Sequence, residues 1–392
     1  MPRLNTFRRK FEQVFNYSNA EIRVFFAPGR VNLIGEYTDF TGGYVLPAAL
    51  TYGTWAVVHP RKDGKFRLAS TSFAERVDFD AVVIDYRHDE GWANYPKGVI
   101  REFIKLGVHL SGCDILFDGN IPKAAGLSSS ASIEMVTAVA LRQIEMLGLS
   151  LLELTQLAQR AENQFVGVNC GIMDQFASGM GKASHALLLK CDSLAYRHVP
   201  LSLGDYQLVL TNSNKPRSLT ESKYNQRRQE CEAGAIVVMN YFPTVSCLGD
   251  VTLEQWGAVY KEIHSPEVSK RLEHVVNENA RVQASTIALE AGDIKTFGQY
   301  MIQSHESLRD LFEVTGLELD SLFDQARQVL GCIGTRMTGA GFGGCTVSLV
   351  HKDAVADFQT QVTQGYEAKT GLTPLFYHGE IGDGARELLA SP

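Results

Sequence analysis

Through the first half of the chain, short apolar runs alternate with stretches whose apolar positions recur at helical spacing. Ile22 to Phe26, Gly43 to Ala48 and Thr54 to Val58 read as strands, the last ending before the Arg61-Lys-Asp-Gly-Lys65 turn. Trp92 to Leu106 has helical spacing, and Asp114 to Asp118 reads as a strand that stops at Gly119-Asn120. Ile133, Val136, Val139, Ala140 and Ile144 recur at helical intervals, so the spacing predicts a helix over Ser130 to Leu147 that begins inside a run of serines. Another helix is predicted over about Leu151 to Phe165, leading into Gly167-Val-Asn-Cys-Gly-Ile-Met-Asp174.

Ala186 to Lys190 and Gln207 to Thr211 read as strands on either side of a turn near residue 200. A domain boundary is expected there, dividing the chain into 1–200 and 201–392. The second half is richer in helix, at Ser222 to Ala235, Pro266 to Leu289, Ile294 to Leu311 and Leu317 to Leu330. A glycine-rich loop follows, then a strand at Cys345 to Val350, a further helix, and a strand around Pro374 to Tyr377. No internal repeat or low-complexity linker interrupts this order. The pattern predicts an α+β architecture in two halves, with ligands between them.

Composition narrows the function classes. A chain of 392 residues is too long for one simple core, and 45% apolar with 21% charged residues is ordinary for a soluble globular protein. The net charge of −7 argues against a non-specific nucleic-acid binder and offers no general attraction to anions. A phosphate site would therefore have to be local, built from backbone amides, a cation or a few basic side chains. The seven cysteines are scattered and never in Cys-x-x-Cys spacing, which leaves zinc-ribbon, thioredoxin-like and disulfide-framework readings without support. Reduced thiols in a cytoplasmic protein are expected. Met1 to Lys10 is basic but continues into Phe11-Glu-Gln-Val-Phe, so it is no signal peptide, and no apolar stretch approaches the length of a membrane span.

Three segments carry candidate chemistry. Ala27-Pro-Gly-Arg-Val-Asn-Leu-Ile-Gly-Glu-Tyr-Thr-Asp39 combines Arg30 with Glu36, Asp39 and two glycines. An arginine can hold a negative group, carboxylates accept hydrogen bonds from hydroxyls, and glycines let the backbone approach a ligand closely. That inventory suits a polyhydroxylated ligand beside an anion, although a charged surface turn would have the same look. In Pro122-Lys-Ala-Ala-Gly-Leu-Ser-Ser-Ser-Ala-Ser132, a small-residue loop leads into a helix whose first amides come from Ser128, Ser129 and Ser130. Free amides and the positive end of a helix dipole bind anions, and a serine hydroxyl can coordinate Mg²⁺. From the run alone, a serine cap on a core helix accounts for it equally well. No Gly-x-x-x-x-Gly-Lys-Ser/Thr loop occurs. Finally, Thr338-Gly-Ala-Gly-Phe-Gly-Gly344 fits Gly-x-Gly-x-x-Gly, but no clear strand leads into it and a strand rather than a helix follows. A hairpin-like turn is the plain reading.

In order and spacing, these segments resemble the motifs of the galactokinases within the GHMP family of small-molecule kinases, and the likeness runs from about Phe25 to the C-terminal strand region. The resemblance implies a ribosomal-S5-like N-terminal domain, a ferredoxin-like α/β C-terminal domain and an active site between them. It implies ATP-dependent phosphorylation of the C1 hydroxyl of galactose, the first step of galactose catabolism, with Mg²⁺ as cofactor. By position, Asp174 matches the catalytic aspartate and Arg30 the arginine that pairs with it. Glu36, Tyr37, Thr38, Asp39, Gly171, Asp174 and Tyr224 match sugar-binding positions. Ala124, Ala125, Gly126, Leu127, Ser128, Ser129 and Ser130 would line the triphosphate, with Ser70 and Trp92 on the nucleoside side. Ser130 and Glu162 would ligate Mg²⁺, whereas Glu162 alone reads as a solvated helix residue. The Gly-rich loop would fold against the N-terminal site and supply no catalytic atom. Galactose and ATP are the expected partners of a monomer, with no nucleic acid and no membrane.

The chain departs from the family in its sugar motif. Galactokinases usually have Gly-Glu-His-Thr-Asp-Tyr, whereas this chain has Gly35-Glu-Tyr-Thr-Asp-Phe40. Tyr37 stands where the family's histidine contacts a sugar hydroxyl remote from the phosphorylated end, and a phenol is longer with one polar atom instead of two. Three alternatives stay open on the sequence: a kinase for a related sugar such as N-acetylgalactosamine, a sensor that binds without transferring phosphate, and an NAD oxidoreductase built on the Gly-rich loop.

Overall fold

Along the strand Pro47–Pro60, alternate apolar residues face opposite ways: Ala56 and Val58 enter one core while Trp55 and Val57 enter another. This strand sits inside a six-stranded sheet with the order 386–387, 23–32, 47–60, 113–119, 65–70, 77–80. Only the pairing of 65–70 with 113–119 is parallel. Helices Asn94–Lys105, Ser129–Ile144 and Leu151–Ala161 cover one face, and the N-terminal helix Pro2–Phe15 lays Phe7, Phe11 and Phe15 on the other. The computed structural model describes residues 2–122, 125–216 and 220–388.

A second sheet of four antiparallel strands has the order 332–338, 345–351, 206–212, 375–378. A third, of 44–45, 185–190 and 196–200, shares a core with it: Leu46, Ala186 and Val199 pack in one cluster with Leu208, Leu210, Val347, Phe297 and Met301. Helices Thr220–Tyr241 and Pro266–Glu290 close the molecule beside the sugar motif through Val238, Leu272 and Tyr37.

The structure extends several predicted elements and adds others. The first strand runs over Arg23–Asn32, so Arg30 lies on a strand, past a bulge between Pro28 and Arg30. Gly29 makes this possible, because a Cβ there would fall 2.3 Å from the Leu127 carbonyl oxygen. The helix predicted to reach Phe165 ends at Ala161 and turns through a π segment at Glu162–Val166. The expectation that no strand precedes the Gly-rich loop is corrected: Cys332–Thr338 is a strand, and the loop joins it to Cys345–His351 as a hairpin. Its sequence, with Gly334, Thr335 and Arg336, lacks an apolar alternation, and its partner strand rather than its own pattern holds it extended. Helices Pro2–Phe15, Met173–Met180 and Leu253–Val259 and strands Lys65–Ser70, Val77–Asp80 and Tyr196–Pro200 were not predicted.

Candidate active site

Arg30, nearly buried, places Nε 2.9 Å from Asp174 Oδ1 and Nη2 3.0 Å from Oδ2, while its Nη1 donates to the Gly126 carbonyl at 2.7 Å. One guanidinium thus ties strand 23–32 to the serine loop and to the first turn of Met173–Met180. Ser128 donates its hydroxyl to Asp174 Oδ2. That residue precedes the helix Ser129–Ile144 in a left-handed conformation (φ 59°) and makes no side-chain cap, so its hydroxyl serves Asp174 while Ser129 and Ser130 of the first helical turn line the cavity.

Glu162 opens the π segment and is buried beneath this loop. Its Oε2 accepts from Gln175 Nε2 at 2.5 Å, and the same amide reaches Glu134 Oε2 at 3.0 Å. Burial foremost, then the charge of Asp174, pushes the Glu162 carboxyl up, while the Ser130 hydroxyl within hydrogen-bonding reach pulls it down. Glu134 is raised well above the usual carboxylate range by burial and then by Glu162. Its Oε1 is buried without a hydrogen-bond partner among the described residues. The Cys170 sulfur lies 3.4 Å from Glu162 Oε2.

The sugar motif lies at the other end of the same cavity. Glu36 accepts from the Gly339 amide at 2.7 Å and faces Arg336 Nη1 at 3.5 Å; burial, the largest influence, raises its carboxyl against the pull of Arg336 and Arg30. Asp39 is pushed up to about 6 by burial and then by the charge of Asp174. Its carboxylate fills the space a side chain at Gly171 would need, since a Cβ there would sit 1.9 Å from Oδ2. Tyr224 lines the cavity from the helix 220–241. Tyr37, in the left-handed region at φ 65°, packs on Phe312 (4.6 Å) and Tyr224 (5.5 Å) and donates its hydroxyl to the Ala340 carbonyl at 2.5 Å. Thr38 lies behind the cavity wall, its hydroxyl taken by the Gly35 and Tyr44 carbonyls.

These groups surround one cavity of about 380 Å³, walled by Arg30, Glu36, Asp39, Ser128, Ser130, Glu162, Gly171, Asp174 and Tyr224 among others, with Tyr37, Ala125, Gly126, Leu127 and Ser129. Ser70 and Trp92 lie off this cavity, each against Phe117: Ser70 pairs with it in the sheet and the Trp92 ring meets its ring edge-on at 5.7 Å. Trp92 Nε1 is buried without a partner among the described residues. Ala124 lies outside the described residues.

Three family models match the chain: the galactokinase galactose-binding signature over residues 9–60, the GHMP kinases N terminal domain over 94–182 and the GHMP kinases C terminal over 286–368. The galactokinase of Halalkalibacterium halodurans is 52% identical over 378 residues, 96% of either chain. The chain belongs to the galactokinase family. That of Fusobacterium nucleatum is 48% identical over 96% of this chain and 97% of its own. The crystal structure of Lactococcus lactis galactokinase complexed with galactose superposes with a TM-score of 0.95 at 42% identity, covering 98% of this chain and all (100%) of that one. The fold extends to Methanococcus jannaschii mevalonate kinase, with a TM-score of 0.68 at 16% identity over 93% of this chain and 100% of the other.

Sequence reasoning missed Glu134, Gln175 and Arg336. Glu134 adjoins Ile133 on a helix read for its apolar face, and nothing in the spacing marks it as fully buried. Gln175 follows Asp174 directly, which is the one signal that could have drawn attention to it.

Proposed function

We propose that this galactokinase-family chain transfers the γ-phosphoryl group of ATP to the anomeric hydroxyl of galactose, with Asp174 taking the hydroxyl proton and Arg30 holding Asp174 in place. The observation that carries the reading is the Arg30–Asp174 pair at the junction of the two halves of the cavity, between the sugar motif and the amides of helix 129–144. A carboxylate has about four lone-pair sites, and Arg30 Nε, Arg30 Nη2 and Ser128 Oγ occupy three, which leaves room for one hydroxyl. Those donors hold the Asp174 carboxylate in one place. In a loose phosphoryl-transfer transition state the acceptor's proton leaves late, so placement matters more than basicity. Glu36, Asp39, Gly171 and Tyr224 would hold the sugar, the helix amides and residues 125–130 would cradle the phosphates, and Ser70 and Trp92 would face the nucleoside. Residue 200 is the proposed junction of the two domains, and the seven free cysteines suit a cytoplasmic setting.

Mg²⁺ fits the residues present. Buried Glu162 has the Ser130 hydroxyl within hydrogen-bonding reach and the charge of Asp174 acting on it, with Glu134 close enough to feel Glu162, while Arg30 is shared between Asp174 and Gly126. Hard oxygen donors with surplus negative charge suit a hard divalent cation. Ser130 and Glu162 would hold it, and when bound it would neutralise charge on the phosphate oxygens. Glu162→Ala is expected to raise the Mg²⁺ concentration for half-maximal rate by about tenfold or more, since even outer-shell partners of a metal are worth that much. A rate that survives excess EDTA would remove the metal from the mechanism.

Release of ADP, followed with a panel of sugars, tests the reading. Galactose is expected to be turned over in preference to N-acetylgalactosamine; turnover of the latter alone would move the substrate, and ATP binding without turnover of any sugar would make the protein a sensor. Gly171→Ala, which drives a methyl group into Asp39, is expected to raise KM for galactose by at least about tenfold, the cost of losing one charge-assisted hydrogen bond. KM for ATP should change little, and equal rises in both would show that the substitution distorts the whole cavity.

A further inference from the structure

Two adjacent residues of the sugar motif grip two adjacent residues of the Gly-rich loop. Glu36 accepts the Gly339 amide, and Tyr37 donates to the Ala340 carbonyl. On its other side Gly339 rests against the serine loop, so closely that a Cβ on Gly339 would lie 3.1 Å from the Gly126 carbonyl oxygen. That same oxygen receives Arg30 Nη1. An unbroken series of contacts therefore runs from Tyr37 through Ala340 and Gly339 to Gly126, Arg30 and Asp174.

The loop in the middle has little preference of its own. Gly339, Gly341, Phe342, Gly343 and Gly344 all have positive φ, between 56° and 132°. Glycines with this freedom lose much entropy when held in one shape, so the shape depends on its anchors. One anchor is the Phe342 amide on the Val314 carbonyl at 2.8 Å, at the far end of the turn. At the near end Tyr37 is a side-chain anchor beside Glu36, and its single O–H is committed there rather than to a ligand.

We infer that Tyr37 is a positioning residue that clasps the Gly-rich loop against the phosphate loop, so that a residue of the sugar motif controls nucleotide affinity. This deepens the kinase reading and rests on it. It adds a second role to a position that the resemblance assigns to sugar binding.

Tyr37→Phe keeps the ring and its packing and removes only the hydroxyl. Loss of one neutral hydrogen bond corresponds to a change of about threefold to tenfold. The variant is expected to weaken binding of ADP, measured by calorimetry without sugar, by about that factor, and to raise KM for ATP in parallel while kcat stays within about threefold. A purely structural role would lower the melting temperature and leave the ADP affinity of the folded protein unchanged. Gly339→Ala, which presses on Gly126 directly, should also weaken ADP binding, and the double variant should lose less than the sum of the two. ADP affinity unchanged within twofold in Tyr37→Phe, or full additivity in the double variant, would overturn the inference. Because calorimetry with ADP needs no turnover, an inactive wild-type protein would count against the kinase reading alone.

Discussion

Asp174→Asn is expected to abolish nearly all turnover while ATP still binds. Asparagine keeps the size of the side chain and can still accept a hydrogen bond from Arg30, but it cannot take a proton from a sugar hydroxyl. General base catalysis is worth about 10²- to 10⁴-fold, so kcat should fall by at least about a hundredfold. Nucleotide affinity should stay within a few-fold, because the helix amides are untouched and only the Ser128 hydroxyl of the serine loop bonds the substituted group. Retention of more than about a tenth of the wild-type kcat would mean a loss under about 1.4 kcal/mol, and proton transfer to Asp174 would then be a poor account.

Arg30→Lys should be nearly as damaging, although it keeps the charge. Arg30 makes three directed contacts, two to Asp174 and one to the Gly126 carbonyl, from a side chain with almost no exposure. An ammonium group is a point charge on a flexible stem and cannot span a carboxylate and a carbonyl on separate elements. Loss of one preorganised donor at a charge-developing site costs about 10²–10³ in kcat. The expected result is a fall in kcat of about a hundredfold with a melting temperature close to wild type, since the partly buried carboxylate keeps a cation beside it. A kcat within tenfold of wild type would show that charge alone suffices and that the fork geometry is incidental.

Much of this site was legible because its chemistry is concentrated in short segments. Arg30, Glu36 and Asp39 sit within ten residues of one another, and a serine run before an amphipathic pattern announces a helix N-terminus. What the sequence concealed is long-range pairing. Glu134 is 28 positions from Glu162, and only the fold brings Gln175 between them. Arg336, fully buried, reaches the Asn32 carbonyl at 3.0 Å across 304 positions. The strand that carries Arg336 escaped notice for the same reason: its conformation is imposed by the hairpin partner, not by its own alternation. The reach of Tyr37 is of this kind too. Its motif position speaks of the sugar, whereas the length of the phenol lets it reach the Ala340 carbonyl, contributed from 303 positions away.

Phosphorus-31 NMR of a mixture of galactose, ATP, Mg²⁺ and this protein tests the central claim most directly. The account predicts a new phosphomonoester signal split by a single proton, the anomeric one, rising in equal proportion with ADP. A signal split by two protons would place the phosphate on the C6 hydroxyl, and ADP accompanied by inorganic phosphate without any sugar phosphate would mean hydrolysis; either result would contradict transfer to C1.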